Sequence, residues 1–354
     1  MLKEKKNMKK IFAIVLTLAM LLSLAACGQQ EAQPTAAATE AATEAVPETT
    51  AAPETAAPAV PVNVMVLNGT TGFGMANLMD AAANGAASQE YNFSVETDAS
   101  NIVAALANGS VDIAALPTNA AAAVYNKTQG GVQVLALNTL GVLYLVGHGD
   151  AAAIESIEDL AGWNVWAPAQ NPSFIFQHIV EANGLTDVTI DNTYAQPADL
   201  NTAVASGEVS IAVLPEPMVT VAKSKNPELQ VLLDLTEEWD KIAPAGSLVQ
   251  GCVVVRKAFA EENPDAVKAF LAEYGASIEA LTTDIEGTAA KIESTGIFTK
   301  AAVAAKAIPN CNVCFITGEE MKAALSEFLT IMHGVAPASV GGAIPGDDFY
   351  CILN

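Results

Sequence analysis

Along this chain, segments in which apolar and polar residues alternate as in a β-strand are followed by segments in which apolar residues recur at helical spacing. This order of strand pattern and helix pattern recurs many times. Residues 62–67 alternate as a β-strand does, and the apolar residues between 75 and 83 fall at helical spacing. Thr70 or Thr71, in the turn between them, is a natural helix N-cap. Strand and helix patterns follow one another to about residue 255, after which helical patterns dominate. The chain is therefore predicted to have an α/β fold, with mainly parallel sheets flanked by helices.

Two segments of the chain have nearly the same sequence. Residues 109–117 read GSVDIAALP and residues 207–215 read GEVSIAVLP, so that six of nine positions are identical. Each copy lies between two helical patterns. Two copies so far apart indicate duplication of one α/β unit rather than a repeat array. Duplicated units predict two similar lobes, and two facing lobes are typical of a protein that holds a ligand between them.

The pattern of elements restarts near residue 148, so the globular part is predicted to form two lobes of ordinary domain size. Lobe 1 is expected to comprise residues 63–147 and 249–354, and lobe 2 residues 148–248. An apolar strand pattern at 248–255 is expected to return the chain to the first sheet. The chain would then cross between the lobes twice, near Gly147 and near Gln250, and two crossings would form a hinge.

The N-terminus carries the parts of a bacterial lipoprotein signal in their usual order. Five lysines within residues 3–10 precede a 16-residue run, 11–26, that is too short for a comfortable transmembrane span. Leu24-Ala-Ala-Cys27 matches a lipobox, so we expect cleavage after residue 26 and a lipid on Cys27; an ordinary secretory signal is the alternative. Residues 27–62 hold almost only Ala, Thr, Glu, Pro and Gln and are expected to form an extended tether. The mature protein would lie outside the cytoplasm, anchored to the membrane by its lipid.

The charge of the chain disfavours several kinds of partner. Sixteen Lys and Arg face 39 Asp and Glu, which gives a formal net charge of −23 and about −27 once residues 1–26 are removed. Nucleic acid and anionic membrane surfaces would require the opposite sign. Arg256 is the only arginine, so a highly charged anionic ligand is disfavoured unless helix N-termini recognise it. We expect a monomer with no nucleic-acid partner.

Four cysteines follow the lipobox. Cys252 lies in an apolar strand pattern, and Cys351 lies near the C-terminus. Cys311 and Cys314 form a Cys-x-x-Cys pair, which is compatible with a local disulfide, a redox pair or half of a metal site. Two thiols or a disulfide are favoured, because no second pair exists and the three histidines are far apart in sequence. Neither a metal nor another cofactor is expected.

Four loops are predicted at the carboxyl ends of strands, where open α/β sheets bind their ligands. Two follow the first strand of each lobe, and two follow the repeat copies. They carry backbone N–H groups, hydroxyls, amides and one carboxylate. The residues expected to bind a ligand are Thr70, Thr71, Gly72, Phe73, Pro117, Thr118, Asn119, Gln170, Asn171, Ser173, Phe174 and Glu216.

Each of these loops also has a purely structural interpretation. The Gly-Thr-Thr-Gly segment at 69–72 fits neither P-loop nor dinucleotide spacing, and a turn with a helix cap is enough to explain it. The prolines after the two repeat copies can simply end strands. Glu216 at a helix N-terminus would gain about 0.3–1 kcal/mol without any ligand. No catalytic set is visible, since Gly-x-Ser-x-Gly is absent and Ser, His and Asp are not grouped.

The lipobox, the tether, the discontinuous lobe and the repeat copies resemble solute-binding proteins of ABC importers. The nearest class is the nitrate, sulfonate and thiamine-precursor group (SsuA/THI5-like). Residues 156–165 are similar to the start of that family's second lobe, and residues 213–217 to its acidic strand-end loop. Residues 254–259, followed by Asn263-Pro-Asp, resemble its return to the first lobe. The resemblance covers about residues 62–354.

The resemblance implies a two-lobed periplasmic-binding-protein-like fold of type II. It also implies capture of a small molecule between the lobes and delivery to a membrane permease and its cytoplasmic ATPase. By position it places in the cleft Thr70–Phe73, Thr118, Asn119, Gln170–Phe174 and Glu216. The near absence of arginine disfavours nitrate or sulfonate, and Glu216 suits an aminopyrimidine or another neutral or basic heterocycle.

Two other functions compete with import. The first is an extracytoplasmic enzyme on the same fold. The sequence argues against it, because it lacks the Cys-rich, iron-linked motif of the eukaryotic pyrimidine synthases in this class. The second is a surface lipoprotein with a role in adhesion or signalling. Turnover of a bound solute would favour the first, and binding to a protein instead of a solute would favour the second.

Overall fold

The structure, a computed structural model, describes residues 60–353; the predicted signal peptide, Cys27 and nearly all of the tether lie outside them. The strands are β1 (Val62–Leu67), β2 (Tyr91–Glu96), β3 (Ile113–Pro117), β4 (Val132–Thr139), β5 (Leu143–Gly147), β6 (Asn164–Trp166), β7 (Thr189–Asp191), β8 (Ile211–Pro215), β9 (Gln230–Asp234), β10 (Gly251–Arg256) and β11 (Val313–Ile316).

Helices lie between and after the strands, and within residues 60–353 none is long and apolar enough to cross a membrane. The α-helices are α1 (Thr70–Phe73), α2 (Ala76–Ala83), α3 (Ala99–Asn108), α4 (Thr118–Lys127), α5 (Asn171–Ala182), α6 (Pro197–Ser206), α7 (Met218–Lys225), α8 (Leu235–Asp240), α9 (Lys257–Glu262), α10 (Pro264–Thr283), α11 (Ile285–Ser294), α12 (Ala301–Ala307) and α13 (Gly318–Val335). Single turns of 3-10 helix cover Gly149–Ala153, Ile157–Leu160, Ile308–Asn310, Pro337–Val340 and Asp347–Phe349.

The strands form two sheets of mixed direction, not the mainly parallel sheets that the alternation of strands and helices predicted. One has the order β11-β4-β10-β3-β1-β2 and the other β7-β6-β8-β5-β9. We call each sheet with its helices a lobe, lobe 1 and lobe 2 respectively. In both lobes three neighbouring strands are parallel, and the next strand runs against them: β10 beside β3, and β5 beside β8.

The two repeat copies end in β3 and β8, which occupy equivalent places in the two sheets. On one side, each strand pairs in parallel with the middle one of its lobe's three parallel strands, β1 or β6. On the other side, it pairs antiparallel with β10 or β5. In β3, Ala114 and Leu116 face one apolar cluster while Ile113 and Ala115 face another, and β8 alternates in the same way. Burial on both faces explains why the repeat is almost wholly apolar.

The boundary between the lobes differs from the expected one. The strand at 143–147, expected to end lobe 1, is hydrogen-bonded to β8 and β9 and so belongs to lobe 2. The first crossing therefore lies between Thr139 and Leu143. The expectation was wrong because β4 and β5 are both apolar and closely spaced, and hydrophobicity alone does not say which sheet a strand joins. The chain returns to lobe 1 between α8 and β10.

The Cys-x-x-Cys pair is not a disulfide. Cys252, Cys311, Cys314 and Cys351 are all free thiols. Cys311 is fully buried in one apolar cluster of lobe 1, whereas Cys314, on the edge strand β11, packs against the other cluster. Burial raises the pKa of both thiols, that of Cys314 to about 12. Within residues 60–353, no group of His, Cys, Asp and Glu side chains is arranged to hold a metal ion.

Candidate ligand-binding cleft

A cleft of about 450 Å³ lies between the two lobes, a volume typical of small-molecule sites. The loops after β1 and β3 contribute from lobe 1, and the first residues of α5, α6 and α7 contribute from lobe 2. The lining residues are Leu67, Asn68, Gly69, Thr70, Thr71, Thr97, Pro117, Thr139, Val142, Leu143, Asn171, Pro172, Gln196, Pro197, Ala198, Pro215, Glu216, Pro217, Met218, Gln250 and Phe298.

The structure brings five of the twelve expected residues together in this lining. They come from all four expected loops, and they are Thr70, Thr71, Pro117, Asn171 and Glu216. The loops therefore meet as the rule for the carboxyl ends of parallel strands predicts. The other seven lie elsewhere, for three different physical reasons.

The first loop is tighter than the sequence indicated. Helix α1 is a single turn whose N-cap is Gly69, with φ 85°, so neither threonine is the cap. Phe73 is fully buried and packs edge-on against Phe298, with ring centroids 6.2 Å apart. Gly72 lies so close to the backbone of β1 that a side chain would collide with the Leu67 carbonyl. Gly72 and Phe73 therefore pack against the body of lobe 1 and are not part of the cleft lining.

Thr118 and Asn119 are buried just behind the cleft wall. The Thr118 hydroxyl donates to the carbonyl of Val249 at 2.7 Å, next to the returning crossing. The Asn119 amide oxygen accepts from Nδ2 of Asn171 at 2.9 Å. These two residues position their neighbours instead of lining the cleft.

The last three expected residues are turned away by the geometry of α5. Gln170 precedes the helix and is exposed. Ser173 and Phe174 line a separate groove on the outer side of α5. Successive residues of an α-helix are rotated by about 100°, so residues two and three places after Asn171 face other directions.

Several lining residues were not among the twelve predicted from the sequence. Phe298 follows α11, more than 200 positions from the first loop, and Met218 lies just inside α7. Gln250 lies in the returning crossing, where its Oε1 accepts from the backbone N–H of Val142 at 2.8 Å. A polar residue at the start of an apolar strand was the one visible hint for Gln250.

Glu216 is the only charged side chain in the lining, which includes no lysine or arginine. It is 4% exposed, and its carboxylate accepts from the backbone N–H of Thr220 at 3.1 Å and from the Thr220 hydroxyl at 2.9 Å. Burial raises the pKa of Glu216 above its ordinary value, against the opposing effect of these hydrogen bonds. The cleft therefore has one buried carboxyl group in a lining that holds no cationic side chain.

Two hydrogen bonds across the cleft join the lobes in a reciprocal manner. The Thr70 hydroxyl, just after β1 of lobe 1, donates to the backbone carbonyl of Glu216 at 2.8 Å. Asn171, just after β6 of lobe 2, donates to Asn119 at 2.9 Å. In each case a residue that follows β1 or β6 contacts the segment after the repeat copy in the other lobe.

A turn at residues 310–312 of lobe 1 is hydrogen-bonded to the first crossing. Asn312, with φ 43°, donates through Nδ2 to the carbonyl of Gly141 at 2.6 Å, and its own carbonyl accepts from the N–H of Leu140 at 3.1 Å. Tyr144 of lobe 2 donates its hydroxyl proton to the carbonyl of Asn310 at 2.8 Å. The turn thus links lobe 1, the crossing and lobe 2.

The sequence model of one family matches residues 79–297 of this chain, and that family is described as the periplasmic substrate-binding protein of a phosphonate ABC transporter. The match covers more than half of the chain. The chain belongs to this family. It is therefore the periplasmic-type solute-binding component of an ABC import system, and the family is a transport family rather than an enzyme family.

Solved structures of other proteins have a similar fold. An ABC transporter protein from Parabacteroides distasonis superimposes with a TM-score of 0.70 at 23% identity, over 83% of this chain and 99% of that one. The periplasmic aliphatic sulphonate-binding protein SsuA from Escherichia coli gives a TM-score of 0.65 at 15% identity, over 83% and 94% of the two chains. A search of curated proteins finds no significant match. The resemblance to ABC-importer solute-binding proteins and the two-lobed α/β fold are confirmed.

Proposed function

We propose that this protein captures a small neutral or basic solute between its lobes and delivers it to a membrane permease driven by a cytoplasmic ATPase. The two crossings of the chain act as the hinge. The lobes separate to admit the solute and close over it, and the bonds of Thr70 and Asn171 across the cleft belong to the closed form. Membership of a solute-binding family supports capture and delivery.

The observation that carries the choice of solute is the charge of the cleft. Glu216 is buried in a lining without lysine or arginine, so a solute with a positive charge or with N–H groups gains a partner there. An anion would be drawn from water without a compensating cation, which is costly in a buried site. An aminopyrimidine or another neutral or basic heterocycle fits these conditions.

We further propose that the mature protein is a monomer held at the outer face of the membrane by a lipid on Cys27. The basic segment, the apolar run and the lipobox support this anchor, and the Pro- and Glu-containing tether would let the globular part reach its permease. Labelling with a radioactive fatty acid checks the anchor: the full chain should incorporate label, and Cys27→Ala should not.

Native mass spectrometry of the protein purified from its own host tests solute capture. A bound small molecule of defined mass, lost on denaturation, is the expected result. The identified solute should also raise the melting temperature, because ligand at about 100 times its Kd adds about 2.7 kcal/mol to stability. Recovery without any small molecule, together with stable binding to a host protein, would favour a surface role in adhesion or signalling instead.

A small oxyanion is the second candidate. The family's description names phosphonate, and one of the similar structures binds aliphatic sulphonates. In this chain α5, α6 and α7 begin in the cleft lining, and helix N-termini attract anions. Calorimetric titration with methylphosphonate and ethanesulfonate decides: binding of either at micromolar concentration would replace the neutral or basic solute by an oxyanion.

A further inference from the structure

The side-chain amide of Gln250 has an unused hydrogen-bond donor. Its Oε1 accepts from the backbone N–H of Val142 at 2.8 Å. Since that N–H can only donate, the amide must turn its oxygen toward Val142, and Nε2 is left as the free end. Within residues 60–353, Nε2 donates to no other group, and it does not belong to the buried side-chain atoms that lack a partner. The nitrogen therefore has accessible surface.

The accessible side of this amide is the cleft. The peptide between Gly141 and Val142 is trans, so its C=O and N–H point in opposite directions. The carbonyl of Gly141 accepts from Asn312, whereas the N–H of Val142 donates to Gln250. Val142 and Gln250 belong to the cleft lining, but Gly141 and Asn312 do not. Gln250 therefore lies on the face of the first crossing that is turned toward the cleft.

The structural bonds of Gln250 do not account for its nitrogen. The backbone N–H of Gln250 donates to the carbonyl of Thr139 at 2.9 Å, and its carbonyl accepts from the N–H of Thr118 at 3.2 Å. Both backbone groups are thus used within lobe 1. The N–H of Val142 needs only an acceptor, which an oxygen alone would supply. The donor half of the amide remains available to a ligand.

Gln250 and Glu216 are neighbours through Val142. The carbonyl of Val142 accepts from the backbone N–H of Glu216 at 3.0 Å, and its N–H donates to Gln250 at 2.8 Å. Because both bonds end on one residue, Oε1 of Gln250 and the backbone nitrogen of Glu216 lie within about 10 Å of each other. One small solute can therefore contact both residues.

We infer that Gln250 is a ligand-recognising residue whose amide nitrogen donates a hydrogen bond to an acceptor of the solute. Glu216 alone would admit a cation that carries only donors, such as an amidine or an alkylammonium ion. With Gln250, the favoured solute also carries a carbonyl oxygen or another neutral acceptor, as carboxamides, ureas and lactams do. This inference rests on the proposed solute capture and specifies the chemical class of the solute.

Three probes with one ring separate donors from acceptors. Benzamidine is a cation with N–H donors only, benzamide has nearly the same shape but carries a carbonyl acceptor, and benzenesulfonate carries acceptors only. Calorimetry gives the ratio of the benzamide affinity to the benzamidine affinity for each variant. A change that affects only the closure of the lobes alters both affinities alike and cancels in this ratio. Loss of a donor to the solute does not cancel.

Gln250→Met keeps the length and the neutrality of the side chain but removes the amide. It should weaken benzamide, and likewise benzenesulfonate, relative to benzamidine by about three- to tenfold, the usual worth of one hydrogen bond. Tyr144→Phe, which removes another bond between the lobes, should leave the ratio as it is in the parent protein. An unchanged ratio in Gln250→Met would overturn the inference, since the amide would then serve only the bond to Val142.

Gln250→Glu provides a second test, which also serves if Gln250→Met does not fold. Glutamate keeps an oxygen for the N–H of Val142 and replaces Nε2 by a second oxygen. Gln196→Glu adds the same charge at an exposed position of the lining and measures the effect of charge alone. The ratio of benzamide to benzamidine affinity should fall at least about threefold further in Gln250→Glu than in this control. Equal ratios in the two variants would overturn the inference.

The outcomes also separate this inference from the proposed function. If the cleft binds none of the three rings, the solute that co-purifies from the host takes their place, and a solute without a hydrogen-bond acceptor overturns the inference. A solute with an acceptor should be weakened at least about threefold more by Gln250→Met than by Tyr144→Phe, and equal losses would overturn the inference too. If no solute co-purifies and no probe binds, the proposed capture itself fails, and this inference fails with it.

Discussion

The two repeat copies share a scaffold but end differently at the cleft. After Leu116-Pro117 the chain continues with Thr118 and Asn119, and after Leu214-Pro215 it continues with Glu216 and Pro217. The preceding strands have the same burial and the same place in their sheets. Thr118 and Glu216 are therefore equivalent positions, yet only Glu216 lines the cleft. After one copy the side chain is buried behind the lining, and after the other a residue with a carboxyl group lies in the lining.

This difference indicates how a duplicated unit can become a specific binding site. The segment after each copy makes a bond across the cleft, through Asn119 in lobe 1 and through the Glu216 backbone in lobe 2. The side chains at the equivalent positions 118 and 216 differ. The hydroxyl of Thr118 donates a hydrogen bond to the returning crossing. The carboxylate of Glu216 instead accepts hydrogen bonds from Thr220, in the same turn of helix, and from the side chain of Asn310.

The largest effect is expected from Glu216→Gln. Removal of the negative charge should weaken a basic solute by at least about tenfold, equivalent to 1.4 kcal/mol, because no other charge in the lining can replace it. Calorimetry with the co-purified solute or with benzamidine measures this. Glu228→Gln removes the same charge from an exposed position of lobe 2 and should leave the affinity unchanged. Equal affinities of Glu216→Gln and the parent protein would remove Glu216 from the site.

Thr118→Val tests the equivalent position of the other copy. Valine has the same shape but cannot donate to the Val249 carbonyl, so the free energy of unfolding should fall by about 1 kcal/mol. The ligand affinity should change far less than in Glu216→Gln. Denaturant unfolding measures the first quantity, and Thr118→Ser, which keeps the hydroxyl, should restore it. A loss of affinity as large as that of Glu216→Gln would show that the two ends are not functionally distinct.

Much of the fold followed from hydrophobic pattern. Alternation located β1 at its observed bounds and the strand pattern at 248–255 located β10 to within three residues, and the duplicated GxVxIAxLP copies indicated two related sheets. The edge strand β11 was missed because it is short and only partly buried, and so it lacks a clear alternation. Helices α8 and α9 were missed because one turn and a half of helix is too short for a periodic signal. The partner sheet of β5 was wrong because pairing is a tertiary property.

The site was less accessible to sequence reasoning than the fold. The four loops could be located, because strand ends and prolines mark them. Which side chains of a loop face the cleft depends on where the next helix begins, and one residue of helix rotates a side chain by about 100°. This explains why Asn171 lines the cleft but Ser173 does not. Phe298 and Gln250 enter from distant segments, and only the folded chain brings them there.

Glu216 should also make stability depend on pH in a way that Thr118 does not. Burial raises the folded-state pKa of its carboxyl above the unfolded value, so the folded form is favoured while the group is protonated. The stability that protonated Glu216 contributes is therefore fully present at pH values below its unfolded-state pKa. This contribution is lost as the pH rises through the raised folded-state pKa. The difference in unfolding free energy between the parent protein and Glu216→Gln should fall across that interval and level off above it. Thr118→Val should differ from the parent by the same amount at every pH.

The smallest expected effect concerns closure rather than recognition. Tyr144→Phe removes the hydroxyl that joins lobe 2 to the Asn310 carbonyl, and the ring stays in place. Because this bond stabilises the closed form without touching the solute, it should weaken every solute by about two- to fivefold, with no preference among head groups. Titration of the benzamidine and benzenesulfonate pair measures this ratio. A loss of affinity confined to benzamidine would mean that the hydrogen bond to Asn310 affects Glu216. The turn at 310–312 would then belong to the recognition of the solute, together with the residues after the second repeat copy.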